Sequence, residues 1–268
     1  MSRAAWRATQ AMVLRDLRIL LSYRFRWISI LLGPAVFVVL FYYVSRLVVV
    51  ESVGSSDGYF SFVITGMAGL AVLTAAVSEV STTLRNEQIA GTLERLATSA
   101  FGPLRACVAM TVYPVLQAMV VGMVTILMGM AIGNLRPGLP ELVAAVPALA
   151  LVAFAFAPLG LLAAALTFVV RQATMGVTLM ITVFSVVAGV YFPISLLPEW
   201  IRWTSDVQPF TPAVGILRHL LATSPLEGSV WGDAARLAAF TVVLLPLSLI
   251  ALRAALAHAR ARGTMTEY

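Results

Sequence analysis

The sequence contains no lysine, and all eighteen of its basic residues are arginine. A P-loop needs a Lys on the nucleotide phosphates and Schiff-base chemistry needs a side-chain amine, so both are excluded. There is one cysteine, Cys107. With no second thiol the sequence offers no internal disulfide, no cysteine zinc cluster and no iron–sulfur ligation, and Cys107 reads as an apolar filler near a membrane surface. Histidine is almost as scarce. His219 and His258 are not spaced as metal ligands and read as polar tips near an interface, so no metal site is expected. Charge is thin as well, at 11% of 268 residues. No repeat of about 20 to 50 residues, low-complexity tract or interdomain linker is visible, which leaves one domain, residues 1–268.

What fills the chain is apolar. Hydrophobic residues make up 60% of it, and the mean hydropathy of +0.95 is far above that of a water-soluble domain. Windows of about 20 apolar residues, enough to cross a hydrocarbon core of roughly 30 Å, recur along the chain. Six are expected, at residues 27–48, 59–82, 104–132, 142–169, 175–192 and 234–257. The fold class is therefore an all-α polytopic membrane protein. The first run follows 26 residues carrying six Arg and lacks a small-residue cleavage site, so it reads as a retained span.

Arginine placement orients the bundle. With the N-terminus in the cytoplasm, the inner segments hold thirteen Arg against five carboxylates, and the outer ones five Arg against seven. The positive-inside rule then puts both termini in the cytoplasm.

Residues 1–26 form a basic arm in which Trp6, Val13, Leu17 and Leu20 share one helical stripe, as in a helix lying in the membrane interface. Residues 27–192 carry spans one to five. Pro34, Pro114, Pro147 and Pro158 lie within them and are expected to kink their helices. The pairs Gly66/Gly69 and Gly129/Gly133 allow close helix approach. Residues 193–233 are too apolar for free solution and too rich in proline for a span. Pro193, Pro198, Pro209 and Pro212 fall in its first half with Trp200, Trp203 and Phe210 between them, a pattern that reads as short outer helices re-entering the membrane with indole rings at headgroup depth, the alternative being an exposed aromatic binding loop. Residues 234–268 supply the sixth span and a cytoplasmic tail.

Between spans two and three lies RNEQIAGTLERLATSAFGP, residues 85–103. On one helix Ile89, Leu93, Leu96 and Ala100 would fall in a narrow stripe while Glu87 and Glu94 project oppositely, and Gly102-Pro103 would end it. Such a helix lies on the cytoplasmic interface, either presenting carboxylates to a soluble partner or capping the bundle.

That loop resembles the E-x-x-x-G-T-x-E-x-L loop of type-2 ABC exporter permeases, here Glu87, Gly91, Thr92, Glu94 and Leu96. The basic N-terminal helix, the six spans and the YFPISLLPEW segment extend the resemblance over essentially the whole chain. The resemblance implies a transmembrane subunit of an exporter, with no ATPase site of its own, driven by a separate nucleotide-binding ATPase that carries ATP and Mg. It implies a second copy of this or a similar permease, membrane lipid as surroundings, and no nucleic acid. Residues 86–98 would be the coupling helix, with Glu87, Gly91, Thr92, Leu93, Glu94 and Leu96 as the ATPase contact, and residues 3–22 a second contact. Spans one, two and five would flank the substrate route, and Tyr191, Phe192 and the residues that follow would cap it. The location implied is a bacterial cytoplasmic membrane.

Within that frame, Phe37, Phe41, Tyr42, Met67, Met180 and Phe184 are candidate route residues, suited to an amphipathic drug, natural product or lipid-like compound. Aromatic rings also stack on sugars, so a lipid-linked polysaccharide is the alternative. Glu79, about one turn from the end of span two, is the one carboxylate deep enough to serve as an inner gate or pair with Arg85. A lipid-modifying membrane enzyme would need paired carboxylates, a His-rich metal set or a Ser/Lys pair, and a secondary transporter more buried ionisable groups.

Overall fold

The computed structural model describes residues 24–47, 56–92, 102–133, 135–169, 173–221 and 229–261, together with Gln10, Val13, Leu14, Arg15, Arg18 and Ser22 of the arm. Trp6, Leu17 and Leu20 of the expected interfacial stripe lie outside these residues. Among the described residues there is no strand.

In chain order the elements are α1 (Arg24–Leu47), α2 (Ser56–Thr74), a π-helical turn (Ala75–Glu79), α3 (Val80–Ile89), α4 (Pro103–Met110) and α5 (Val112–Ile132). Then come α6 (Leu139–Val169), α7 (Ala173–Val187), a 3-10 turn (Ile194–Leu196), α8 (Glu199–Val207), α9 (Phe210–Leu221) and α10 (Val230–Ala261). Among the described residues five helical stretches are long and apolar enough to cross a membrane: α1, α2 continued through α3, α4 with α5, α6, and α10. The expected fifth run departs from this pattern. Its helix α7 has 15 residues, about 22 Å of rise, and stops at Val187 rather than reaching 192.

Local chemistry explains where the helices stop. At the end of α7 the Gly189 N–H donates to the Val186 carbonyl (3.2 Å) and the Val190 N–H to the Ser185 carbonyl (3.2 Å), a Schellman closure. It requires a left-handed residue between them, and Gly189 supplies it at φ +71°. α4 and α5 are separated at Thr111, where Pro114 has no N–H to give the Met110 carbonyl. The Thr111 carbonyl takes up the ladder again from Val115 (3.1 Å). α2 to α3 runs to Ile89, past the expected boundary at 82, and Gly91 at φ +67° ends it.

The stretch Ser56–Ile89 is the axis of the bundle, with 83% of its apolar window buried against 17% for α1 and 17% for α10. It packs on α1, α5, α6 and α9. α10 lies chiefly along α6. Lipid tails are as apolar as the side chains, so such contacts depend on fit and small residues more than on dehydration. The closest approach to a neighbour's backbone falls at the π turn, where a Cβ on Gly160 of α6 would come within 2.5 Å of the Ala76 carbonyl. The described part of the arm meets the bundle where α3 ends, hereafter the arm end. α8 and α9 cover the other, the hairpin end.

Candidate functional site

A cavity of about 410 Å³ opens beside the axis, walled by α1, α2 with its π turn, and α5, and reached by Tyr191. Its walls are apolar: Ile30, Pro34, Phe37, Met67, Leu70 and Val121. Thr74, Ser78, Glu79, Gln117 and Thr125 add polar groups, and exposed Phe37 and Thr74 frame the opening. Two of the six candidate route residues, Phe37 and Met67, line it. Phe41 does not, but stacks on Tyr191 with ring centroids 5.7 Å apart. Tyr42 turns instead to Phe60 (5.9 Å, edge-on) and accepts a hydrogen bond from Arg46 (3.1 Å). Met180 and Phe184 pack against the main core and are not part of the cavity wall.

Glu79 sits on the π turn and is half-buried. The sequence placed it within a turn of the helix end. The helix continues ten residues further, to Ile89, so Glu79 lies about 15 Å from that end. Ser78 and Gln117 carried no individual signal in the sequence, since Ser and Gln in an apolar run are common, whereas Tyr191 was expected only in the outer segment and also reaches the cavity wall.

The hairpin end is closed by a buried arginine. Arg218 of α9, only 6% exposed, donates to the Gly189 (2.7 Å), Val190 (3.2 Å) and Phe62 (3.4 Å) carbonyls and stacks over the Phe62 ring at 3.5 Å. No carboxylate pairs with it among the described residues. Two of its acceptors, at Gly189 and Val190, are carbonyls of the turn that follows α7, next to the negative end of that helix dipole, which favours a cation. A guanidinium keeps its proton even when buried, so Arg218 is a cation held by carbonyls. From sequence Arg218 read only as one of five outer arginines. The signal was there in ILRHLL, a lone Arg inside an apolar amphipathic helix with no acid beside it.

Around this clasp the 193–221 segment folds as two short helices. Pro198 stands at the N-cap of α8, Ser205 donates to the Val187 carbonyl (2.8 Å), and Arg202 donates to the Ser195 (2.9 Å) and Leu197 (3.0 Å) carbonyls. Trp200 and Trp203 are exposed at 74% and 62%. Tyr191, Phe192 and Pro193 form the link from α7, and the Tyr59 hydroxyl donates to the Tyr191 carbonyl (3.1 Å). His219 contacts the Gly215 carbonyl through Nδ1 (2.8 Å), with Asp233 of α10 at 3.6 Å.

At the arm end Arg15 and Glu87 form an ion pair at 2.7 Å, their side chains 42% and 13% exposed. Glu87 therefore faces the arm rather than open solvent. Ile89 beside it is exposed. The expected unbroken helix over 86–98 is interrupted: the Gly91 N–H bonds the Gln88 carbonyl (3.0 Å) and helical geometry resumes at Thr92. The physical reason is the left-handed backbone that only glycine adopts without strain. Leu93, Glu94 and Leu96 lie outside the described residues.

Long apolar helices packed through small residues and walling a cavity define an integral membrane protein. The family model for the ABC-2 type transporter matches residues 3–222, and the chain belongs to that family. It is thus a permease of an ABC exporter. No curated protein sequence matches it.

Proposed function

We propose that the chain is the permease half of an exporter that carries a hydrophobic or amphipathic compound out of the cytoplasm or inner leaflet. A separate ATPase, which binds ATP and Mg, supplies the energy, and a second copy of this or a similar permease completes the unit. The observation that carries this reading is the apolar cavity against the central helix, whose volume of about 410 Å³ falls in the range of small-molecule sites. The arginine asymmetry puts the arm end in the cytoplasm of a bacterial inner membrane. α7, with the turn after it, makes the sixth crossing, and α8 and α9 re-enter the outer leaflet. The 86–98 region receives the ATPase at Glu87, Gly91, Thr92, Leu93, Glu94 and Leu96, and Arg15 holds Glu87 in register there. Phe37 and Met67 line the route, Phe41 and Tyr191 close its outer side, and Tyr42, Met180 and Phe184 support the walls. A lipid-linked polysaccharide fits less well, because among the cavity's lining residues only Phe37 and Tyr191 offer rings for a sugar.

Gly91→Leu tests the reading. A side chain at φ +67° costs about 1–2 kcal/mol locally, and it re-aims the loop without touching the bundle. The expected outcome is normal membrane insertion with loss of vanadate-sensitive ATP hydrolysis from the purified complex. Wild-type hydrolysis and transport would show that the loop is a bundle cap.

A further inference from the structure

The hairpin end carries a second charged feature, between α8 and α10. We infer that the groove there is a binding site for one membrane phospholipid whose headgroup carries a primary ammonium, phosphatidylethanolamine, with Arg236 on its phosphate and Asp206 on its ammonium. The inference does not depend on the compound the protein exports.

The groove measures about 620 Å³ and is lined by Asp206 of α8 and by Arg236, Ala239, Phe240 and Val243 of α10. The α10 positions, at spacings of three and four, form one helical stripe. It runs from a cation to apolar side chains, and Val243 lies about 10 Å beyond Arg236 along the axis. Asp206 and Arg236 are both exposed. Although they are opposite in sign and line one groove, among the described residues no ion pair joins them and neither makes a side-chain hydrogen bond. Arg236 does interact electrostatically with Asp233, three positions back on α10. The Asp233 carboxylate, however, is turned to α9, 3.6 Å from His219 Nδ1. Both charges of the groove are therefore open to a ligand.

The bilayer surface passes through this end of the bundle. Trp200 and Trp203 of α8 and Trp231 at the start of α10 are 74%, 62% and 83% exposed, and exposed indoles at the ends of apolar helices sit at headgroup depth. The Arg236 Cα lies about 7.5 Å further along α10 than that of Trp231. Its Cβ leans toward the helix N-terminus, and a side chain of that length reaches back to the phosphates while its stem stays among acyl chains. A headgroup of net negative charge would meet the Asp206 carboxylate, whereas a zwitterionic one answers both charges of the groove. The guanidinium takes phosphate oxygens in a bidentate fork. The carboxylate accepts charge-assisted hydrogen bonds from an ammonium N–H, which the quaternary ammonium of phosphatidylcholine does not have. Ala239, Phe240 and Val243 take the upper part of an acyl chain.

The experiment is native mass spectrometry of the full-length chain, titrated in detergent with phosphatidylethanolamine, phosphatidylcholine and phosphatidylglycerol of identical acyl chains. Wild type should hold phosphatidylethanolamine about threefold more tightly than either of the others, the size of a partly hydrated ion pair. Asp206→Asn should erase the preference over phosphatidylcholine, and Asp206→Arg should reverse it in favour of the anionic phosphatidylglycerol. Ala239→Phe fills the groove with both charges intact and should remove the preference at an unchanged melting temperature, so the test does not hang on a charge variant folding. Equal retention of the three lipids by wild type overturns the inference, as does a preference for phosphatidylethanolamine that survives both Asp206→Asn and Ala239→Phe. Occupation of the groove by a second copy, seen as dimer loss in Ala239→Phe with lipid retention unchanged, overturns it as well.

Discussion

The two ends of the central helix are held in opposite ways. At the hairpin end, residues 58–69 of α2 are all buried, and a desolvated guanidinium joins α2, the end of α7 and α9 through three carbonyls. At the arm end, α3 meets the arm through an ion pair whose arginine is 42% exposed. A buried cation cannot let go of its acceptors without a large desolvation cost, whereas a wet ion pair exchanges with water at almost none. The hairpin end is therefore a fixed plate. The contact between α3 and the arm is the looser of the two.

The largest test of that contrast is Arg218→Met. It removes a charge-assisted clasp and leaves the Gly189 and Val190 carbonyls buried without their donor, an expected loss of about 3 kcal/mol or more. Thermal melting in detergent should fall by several degrees and lose its cooperativity. Gly189→Ala comes next. The φ of +71° and a Cβ placed 2.7 Å from Ile194 together predict about 1–3 kcal/mol, seen as a smaller shift in the same melt. Arg15→Gln is the smallest, at under about 1 kcal/mol at low salt and nothing measurable at high salt. A melt of Arg15→Gln as damaging as that of Arg218→Met would break the comparison. Restoration of any Arg15→Glu defect by Glu87→Arg in the same chain, judged by ATPase retention, would sharpen it.

Much of the frame could be read from the residues. Long apolar runs mark five stretches because backbone polar groups in lipid leave the chain little choice but helix, and the proline and tryptophan pattern of 193–221 marks short helices. The misplacements share one cause. Val187, Thr111 and Ile89 end or interrupt helices inside or beside apolar sequence, and hydropathy cannot see a Schellman turn, a proline's missing donor or a left-handed glycine. The glycines at 91 and 189 were visible, but their φ was not. The site was harder. Phe37 and Met67 fell on the cavity wall, whereas Tyr42, Met180 and Phe184 are equally apolar and packed elsewhere. Which face of an all-apolar helix meets a cavity depends on its neighbours, and the π turn that carries Glu79 leaves no trace in composition.

Arg218 also carries a consequence for how the chain is made. Its acceptors stand at residues 62, 189 and 190, all earlier in the chain, so a ribosome has released each of them before the guanidinium emerges. An arginine offered to the bilayer alone is penalised by a few kcal/mol. Offered after its cradle, it is drawn to the one place where those carbonyls wait. α9 is thus built to dock last among the elements it clasps, with the order of synthesis serving as its assembly instruction.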